Sequence, residues 1–128
     1  MVVVAVDTNA LMMPVELDVR VFDELDRLFG TADLVTPRAV LDELEKLAAG
    51  SNGEEGVAAS VGSDLATRHC RVVDTEASYA DDAIVELATQ GECDCVVTND
   101  RPLQDRLLER GVRVVGVRGR NTLAVTEP

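Results

Sequence analysis

The sequence predicts an α/β fold, a three-layer α/β/α sandwich with a central parallel sheet. Val2-Val3-Val4-Ala5-Val6 is an unbroken run of small and β-branched apolar residues. Such a run marks a strand buried on both faces beneath helices. Cys93-Asp94-Cys95-Val96-Val97-Thr98 has the same character. Elsewhere helical and strand-like patterns alternate, which favours parallel strands joined by crossover helices. The chain has 128 residues, so residues 1–128 read as one domain with its own core.

Taken in order, the first strand stops at Asp7, and Thr8-Asn9 read as a tight turn held by side-chain to backbone hydrogen bonds. From Val15 to Phe29, apolar residues recur at helical spacing with charges between them, and Gly30 ends the helix. Asp33-Leu34-Val35-Thr36 is a short strand. Pro37 opens the next helix with Thr36 as N-cap, and Val40, Leu41, Leu44, Leu47 and Ala48 form its apolar face. Gly50 to Gly56 reads as a flexible loop, followed by an alanine-rich helix from Val57 to Arg68. Arg71-Val72-Val73 is a strand, and Ala77 to Gln90 a helix closed by Gly91. After the second buried strand, Arg101 to Arg110 is a helix stopped by Gly111, and Val112 to Val117 is the last strand. The Arg-rich stretch 118–121 closes the domain.

Composition narrows the function. Aromatic residues make up only 2% of the chain, which disfavours a binder that stacks bases on aromatic side chains. The formal net charge is −12, which taken alone argues against a nucleic-acid partner. A competing account is that Lys46 is the only lysine, and an acid-rich, lysine-poor surface suits a cytosolic protein of a salt-loving organism. At molar salt the Debye length is only ~3 Å, so distant charges barely repel. The three cysteines are an odd number, so they cannot form a complete disulfide framework. The amino-terminal apolar run lacks the basic residues of a signal peptide, and no stretch is long enough to span a membrane, so a cytoplasmic location is expected.

The chemistry points to carboxylates. Asp7 and Asp100 each follow a buried strand, so both open on one edge of the sheet if those strands are neighbours. Asp81-Asp82 opens a helix, where acids also serve to offset the helix dipole. Glu43 flanks an apolar helix face, where a solvated rim residue is the simpler account. Carboxylates forced together repel and raise each other's pKa. Mg²⁺ or Mn²⁺, which prefer oxygen ligands, would relieve that conflict. Such ions polarise a phosphodiester and activate water for in-line attack. No Ser, Cys or His nucleophile is needed, which suits a chain whose only histidine is His69. His69-Cys70 and Cys93-x-Cys95 lack the paired spacing of a zinc site. Arg38, Arg101, Arg118 and Arg120 are possible phosphate contacts, although the chain's many acids compete for them.

Four segments in order carry a family resemblance: Asp7-Thr8-Asn9, Pro37 to Leu44, Tyr79 to Ile84, and Val97-Thr98-Asn99-Asp100-Arg101. Their order and spacing resemble a PIN-domain ribonuclease over nearly the whole chain. The resemblance implies an α/β/α fold with the first strand central, and RNA cleavage by Mg²⁺ or Mn²⁺ held on acids. Carried onto this sequence, the acids are Asp7, Glu43, Asp82 and Asp100, with Asp81 the alternative to Asp82. Thr8, Asn9, Thr98 and Asn99 would position acids or waters. The chain looks closest to archaeal stand-alone PIN proteins, related to VapC-type toxins and to endonucleases that process small-subunit ribosomal RNA. The doubled Asp81-Asp82 and the stretch 117–123 lean toward the processing side. An antitoxin or a ribosome-assembly factor is the partner expected for one role or the other. A homodimer is also expected from the resemblance. A non-catalytic docking domain that keeps the fold is the remaining alternative.

Overall fold

A computed structural model describes residues 1–128. The elements in chain order are β1 (Val3–Val6), α1 (Thr8–Glu16), α2 (Val21–Phe29), β2 (Asp33–Pro37), α3 (Arg38–Gly50) and α4 (Glu54–His69). They continue with β3 (Arg71–Val73), α5 (Ala80–Thr89), β4 (Cys95–Val97), α6 (Arg101–Glu109), β5 (Arg113–Arg118) and β6 (Thr122–Thr126). The strands form one sheet in the order β3-β2-β1-β4-β5-β6, parallel except for β6. β1 is central, and Val4, Ala5 and Val6 are fully buried, as their unbroken apolar run predicts. The core continues through Leu11, Leu44, Ile84, Val96 and Leu107, and is aliphatic because the chain has almost no aromatics. No helix is long and apolar enough to cross a membrane.

The chain runs from β1 outward to β2 and β3, then returns to β4 on the other side of β1. Strand order therefore reverses between β1 and β4, and a crevice opens beyond their carboxyl ends. Val6 lies beside Val97 in register. Asp7 consequently leaves β1 at the level where Thr98 leaves β4, and its N–H donates to the Val97 carbonyl at 3.3 Å.

Several elements differ from the sequence reading. Thr8-Asn9 is not a turn but the start of α1, and Asp7 caps that helix by accepting the Ala10 N–H at 2.7 Å. The single helix expected from Val15 to Phe29 is two helices, because Asp18 adopts a left-handed φ of 53° between them. Thr36 does not cap α3. Its hydroxyl donates to the Val6 carbonyl at 2.8 Å, which ties β2 to β1. The loop read over Gly50 to Gly56 is shorter, since α4 already begins at Glu54. The Arg-rich stretch does not close the domain: β6 follows it and pairs antiparallel with β5.

An edge strand such as β6 exposes unpaired backbone groups. Here α2 covers one pair of them. Glu24 accepts the Leu123 N–H at 2.9 Å, and Arg27 donates to the Leu123 carbonyl at 2.8 Å. The same two side chains pair with each other at 2.9 Å.

Candidate active site

Three helices begin at the crevice. Asp7 caps α1, Asp100 caps α6, and Asp81 lies in the first turn of α5. Asp100 accepts the Leu103 N–H at 3.1 Å. Helix amino termini carry partial positive charge, so each acid gains local compensation for standing near the others. Glu43 joins them from α3, and together the acids line a cleft of about 290 Å³. Asp7, Glu43 and Asp100, three of the four acids singled out in the sequence, thus share one cavity.

Asp82 does not line it. Its carboxylate instead accepts Nη2 of Arg106 on α6 at 3.1 Å, at the surface. Asp81, the alternative, is the member of the pair that faces the cleft. Two further acids were not anticipated. Glu16 is the end of a face of α1 on which Thr8, Met12 and Glu16 recur every fourth residue. Glu55 enters from the first turn of α4. The spacing of Thr8, Met12 and Glu16 is the signal that could have found the first. Reading Gly50 to Gly56 as loop hid the second.

Electrostatics follow burial. Asp7 is only 3% exposed. Loss of hydration pushes its pKa up to about 7, and the charges of Asp81 and Asp100 push the same way. The Thr98 hydroxyl and the Ala10 N–H hold it down. Asp81 is also raised, first by partial desolvation, then by Asp100 and Glu43.

Around the acids, polar groups fix the strand ends. Asp100 N–H donates to the Thr98 hydroxyl at 3.0 Å, and Asn99 N–H donates to Asn9 Oδ1 at 2.9 Å. The loop after β4 is thereby tied to the start of α1. One group is left over: the buried Thr8 hydroxyl, in the cleft wall, has no hydrogen-bond partner. A buried hydroxyl without a partner costs free energy, which a water or ligand in the cleft would recover.

These residues fit a hard divalent cation. Every charged donor in the cleft is a carboxylate oxygen, and the orphaned Thr8 hydroxyl offers a further oxygen. As they stand, no three His, Cys, Asp or Glu side chains are grouped tightly enough to hold an ion. The cysteines lie elsewhere: Cys93 and Cys95 are buried in the core cluster and Cys70 packs against it. Burial pushes the Cys93 thiol up to about 12, far from the thiolate a soft metal would need.

A family model described as a PIN like domain matches residues 4–120. The chain belongs to this PIN-like family. Curated relatives agree with that membership. Ribonuclease VapC9 of Archaeoglobus fulgidus is 37% identical over 109 residues, 85% of this chain and 78% of that protein. Ribonuclease VapC4 of Methanocaldococcus jannaschii is 32% identical over 116 residues, 88% of this chain and 87% of that protein. Among solved structures, the PIN domain endonuclease Utp24 superposes with a TM-score of 0.79 at 25% identity, covering 98% of this chain and 92% of that one. A domain of a functionally unknown protein from M. jannaschii, at 20% identity and TM-score 0.63, covers 93% of each chain and shares the fold. Among PIN-like proteins, then, this chain carries its acids at the switch point of the sheet.

Proposed function

We propose that this chain is a divalent-metal-dependent endoribonuclease that hydrolyses RNA phosphodiester bonds. The observation that carries the reading is the convergence of acids from five helices, α1, α3, α4, α5 and α6, beside one buried, unpartnered hydroxyl. Relatives named as ribonucleases support RNA as the substrate class. In this reading Asp7, Glu43, Asp81 and Asp100 hold Mg²⁺ or Mn²⁺, with Asp81 in the place first given to Asp82. When bound, such an ion lowers the pKa of water and neutralises charge on the scissile phosphate.

The chain's own groups set the stage. Asp7 is anchored by the Ala10 N–H, so its carboxylate has one orientation. The Thr98 hydroxyl accepts the Asp100 N–H at 3.0 Å and favours the charged form of Asp7, so it acts on both acids. The Thr8 hydroxyl in the cleft wall offers a hydrogen bond to water. Glu16 and Glu55 extend the acidic wall and would repel a strand that strays along α1.

Cleavage of RNA by the purified protein in Mn²⁺ or Mg²⁺ tests the reading. Activity should vanish in EDTA and in Asp7→Asn, with the variant still folded. Undiminished cleavage under either condition removes the proposal.

We place the activity in ribosomal RNA processing, on the doubled Asp81-Asp82 and the stretch 117–123 noted above. A second reading is a VapC-type toxin held by an antitoxin, favoured by the names of both curated relatives. Growth arrest on expression, relieved by a small neighbouring gene product, would select the toxin. Accumulation of small-subunit rRNA precursors in a deletion strain would select processing. We also propose that the protein is a cytoplasmic homodimer, which light scattering on the eluting peak and cell fractionation would check.

A further inference from the structure

Five of the eleven arginines of this acidic chain are already paired. Arg20, Arg27, Arg38, Arg71 and Arg106 each pair with a carboxylate. Arg38, one of the four arginines singled out in the sequence, is thus spent on Asp74 at 2.9 Å. Arg101 and Arg118 have no such partner. Both line a polar cleft of about 320 Å³ between the start of α6 and the end of β5, with Asn99, Gln104, Gly116 and Thr126. No carboxylate lines this cleft, whereas six line the neighbouring acidic one.

Its floor depends on specific residues. Gly116 interrupts a run of valines in β5, and a Cβ there would stand 2.7 Å from Gln104 Nε2 and 3.4 Å from the Thr98 carbonyl. The glycine leaves room for Gln104 to reach across and donate to that carbonyl at 2.7 Å. Asn99 Oδ1 accepts the Val117 N–H at 3.4 Å, so its NH₂ remains available as a donor. The same Asn99 donates its backbone N–H into the acidic cleft, to Asn9. The two cavities therefore lie on opposite sides of one short loop, Asn99-Asp100-Arg101.

We infer that this cleft is a phosphate subsite that seats the backbone of single-stranded RNA next to the acidic cleft, through Arg101 and Arg118. Guanidinium forks match phosphate oxygens in geometry and charge, and the Asn99 amide adds a neutral donor. A chain of net charge −12 repels a polyanion over most of its surface, so a local acid-free basin decides where a strand can lie. A strand held there runs past Asp100, one residue from Arg101, and enters the acidic cleft. The identity of the polyanion rests on the ribonuclease reading. The anion chemistry does not.

The test uses fluorescence anisotropy of a labelled single-stranded RNA with the full chain carrying Asp7→Asn, so that binding is read without cleavage. Adding Arg101→Ala and Arg118→Ala together should weaken binding at least about tenfold, and the log–log salt dependence should lose about 1.4 in slope, at about 0.7 per phosphate contact. Arg68→Ala, on the last turn of α4 at the far edge of the sheet, should leave both unchanged. Equal binding by the double variant overturns the subsite, as does equal weakening by Arg68→Ala or no RNA binding by the parent. Cleavage by the wild-type chain is scored separately. Binding that needs both arginines, without Mn²⁺-dependent cleavage, keeps the subsite and removes the nuclease reading. Cleavage and binding untouched by the double substitution do the reverse.

Discussion

Asp81 and Asp82 adjoin in sequence but serve different surroundings: Asp81 lines the acidic cleft, while Asp82 binds Arg106 at 3.1 Å. Both belong to the first turn of α5. One residue along a helix turns the side chain by about 100°, which is enough to send neighbours to different faces. A doubled acid in a sequence leaves that rotation undetermined. The packing of α5 decides it.

The pair therefore separates in a mutational test. Asp81→Asn should cut metal-dependent cleavage by at least about 100-fold, since even groups one layer outside a metal site cost about 10- to 100-fold when removed. Asp82→Asn should leave the rate within a few-fold. The ion pair it breaks is half exposed, with 52% of the Asp82 side chain accessible, and such pairs contribute at most about 1 kcal/mol. Single-turnover rates at saturating Mn²⁺ compare the two. A large loss in Asp82→Asn with none in Asp81→Asn would reverse the assignment.

Asp7 predicts an unusual pH dependence of stability. Burial first, then Asp81 and Asp100, raises its pKa from 3.8 to about 7. Between those values the folded chain keeps a proton that the unfolded chain has released. The folded state then binds more protons, so stability falls as pH rises through that window and levels off above it. At about 1.36 kcal/mol per pKa unit the full effect is on the order of 4 kcal/mol. Asp7→Asn can still accept the Ala10 N–H and has no charge to bury. In EDTA, urea titrations should show the variant more stable than the wild type above neutral pH, with the difference closing toward pH 4. A variant less stable at every pH would contradict this account of the buried carboxyl.

A divalent ion should change the sign of that cost. An ion that binds only the folded state at a hundredfold excess over its Kd adds about 2.7 kcal/mol. For a domain of this size that corresponds to a rise on the order of 10 °C in Tm. The shift should be large in Mn²⁺ for the wild type and nearly absent for Asp7→Asn. It should also shrink on acidification, because the ion competes with the proton on Asp7. Differential scanning fluorimetry across pH reads all three. An equal Mn²⁺ shift in wild type and variant would place the ion elsewhere.

The central strands were legible because burial on both faces leaves an unmistakable apolar run. Val2 to Val6 and Cys95 to Val97 needed no context, and Asp7 and Asp100 followed from where those runs stop. α1 was not legible. Thr8 and Asn9 are turn formers, and Pro14 lies inside the helix, so local preference argued against what Asp7 capping and core packing of Leu11 and Met13 enforce. The break at Asp18 was hidden because residues on both sides of it keep an apolar spacing, and only the left-handed backbone separates the two helices. β6 was missed because Thr122 to Thr126 is a half-exposed edge strand whose partner, β5, is adjacent in sequence through a turn. Glu16 was lost with α1, and Glu55 with the early start of α4, which the glycines around it disguise as loop.

Two helical glycines should respond in opposite directions to the same substitution. Glycine inside a helix is worse than alanine by roughly 1 kcal/mol, so Gly→Ala stabilises wherever space permits. Gly50 is the last residue of α3, and a Cβ there would meet nothing within 4 Å. Gly50→Ala should therefore raise stability by a few tenths to about 1 kcal/mol. Gly62 sits in α4 against α1, where a Cβ would lie 2.8 Å from the Leu11 carbonyl oxygen and 3.1 Å from its carbon. Both neighbours are backbone, so the strain is relieved only by moving α1. Gly62→Ala should cost about 1–3 kcal/mol, the usual penalty of overpacking. Because α1 also presents Thr8 and Met12 to the acidic cleft, its displacement should reduce the Mn²⁺-induced Tm shift, which Gly50→Ala leaves intact. Chemical denaturation gives the first sign and fluorimetry the second, and a stabilised Gly62→Ala with a full Mn²⁺ shift would mean that α1 and α4 do not pack this closely.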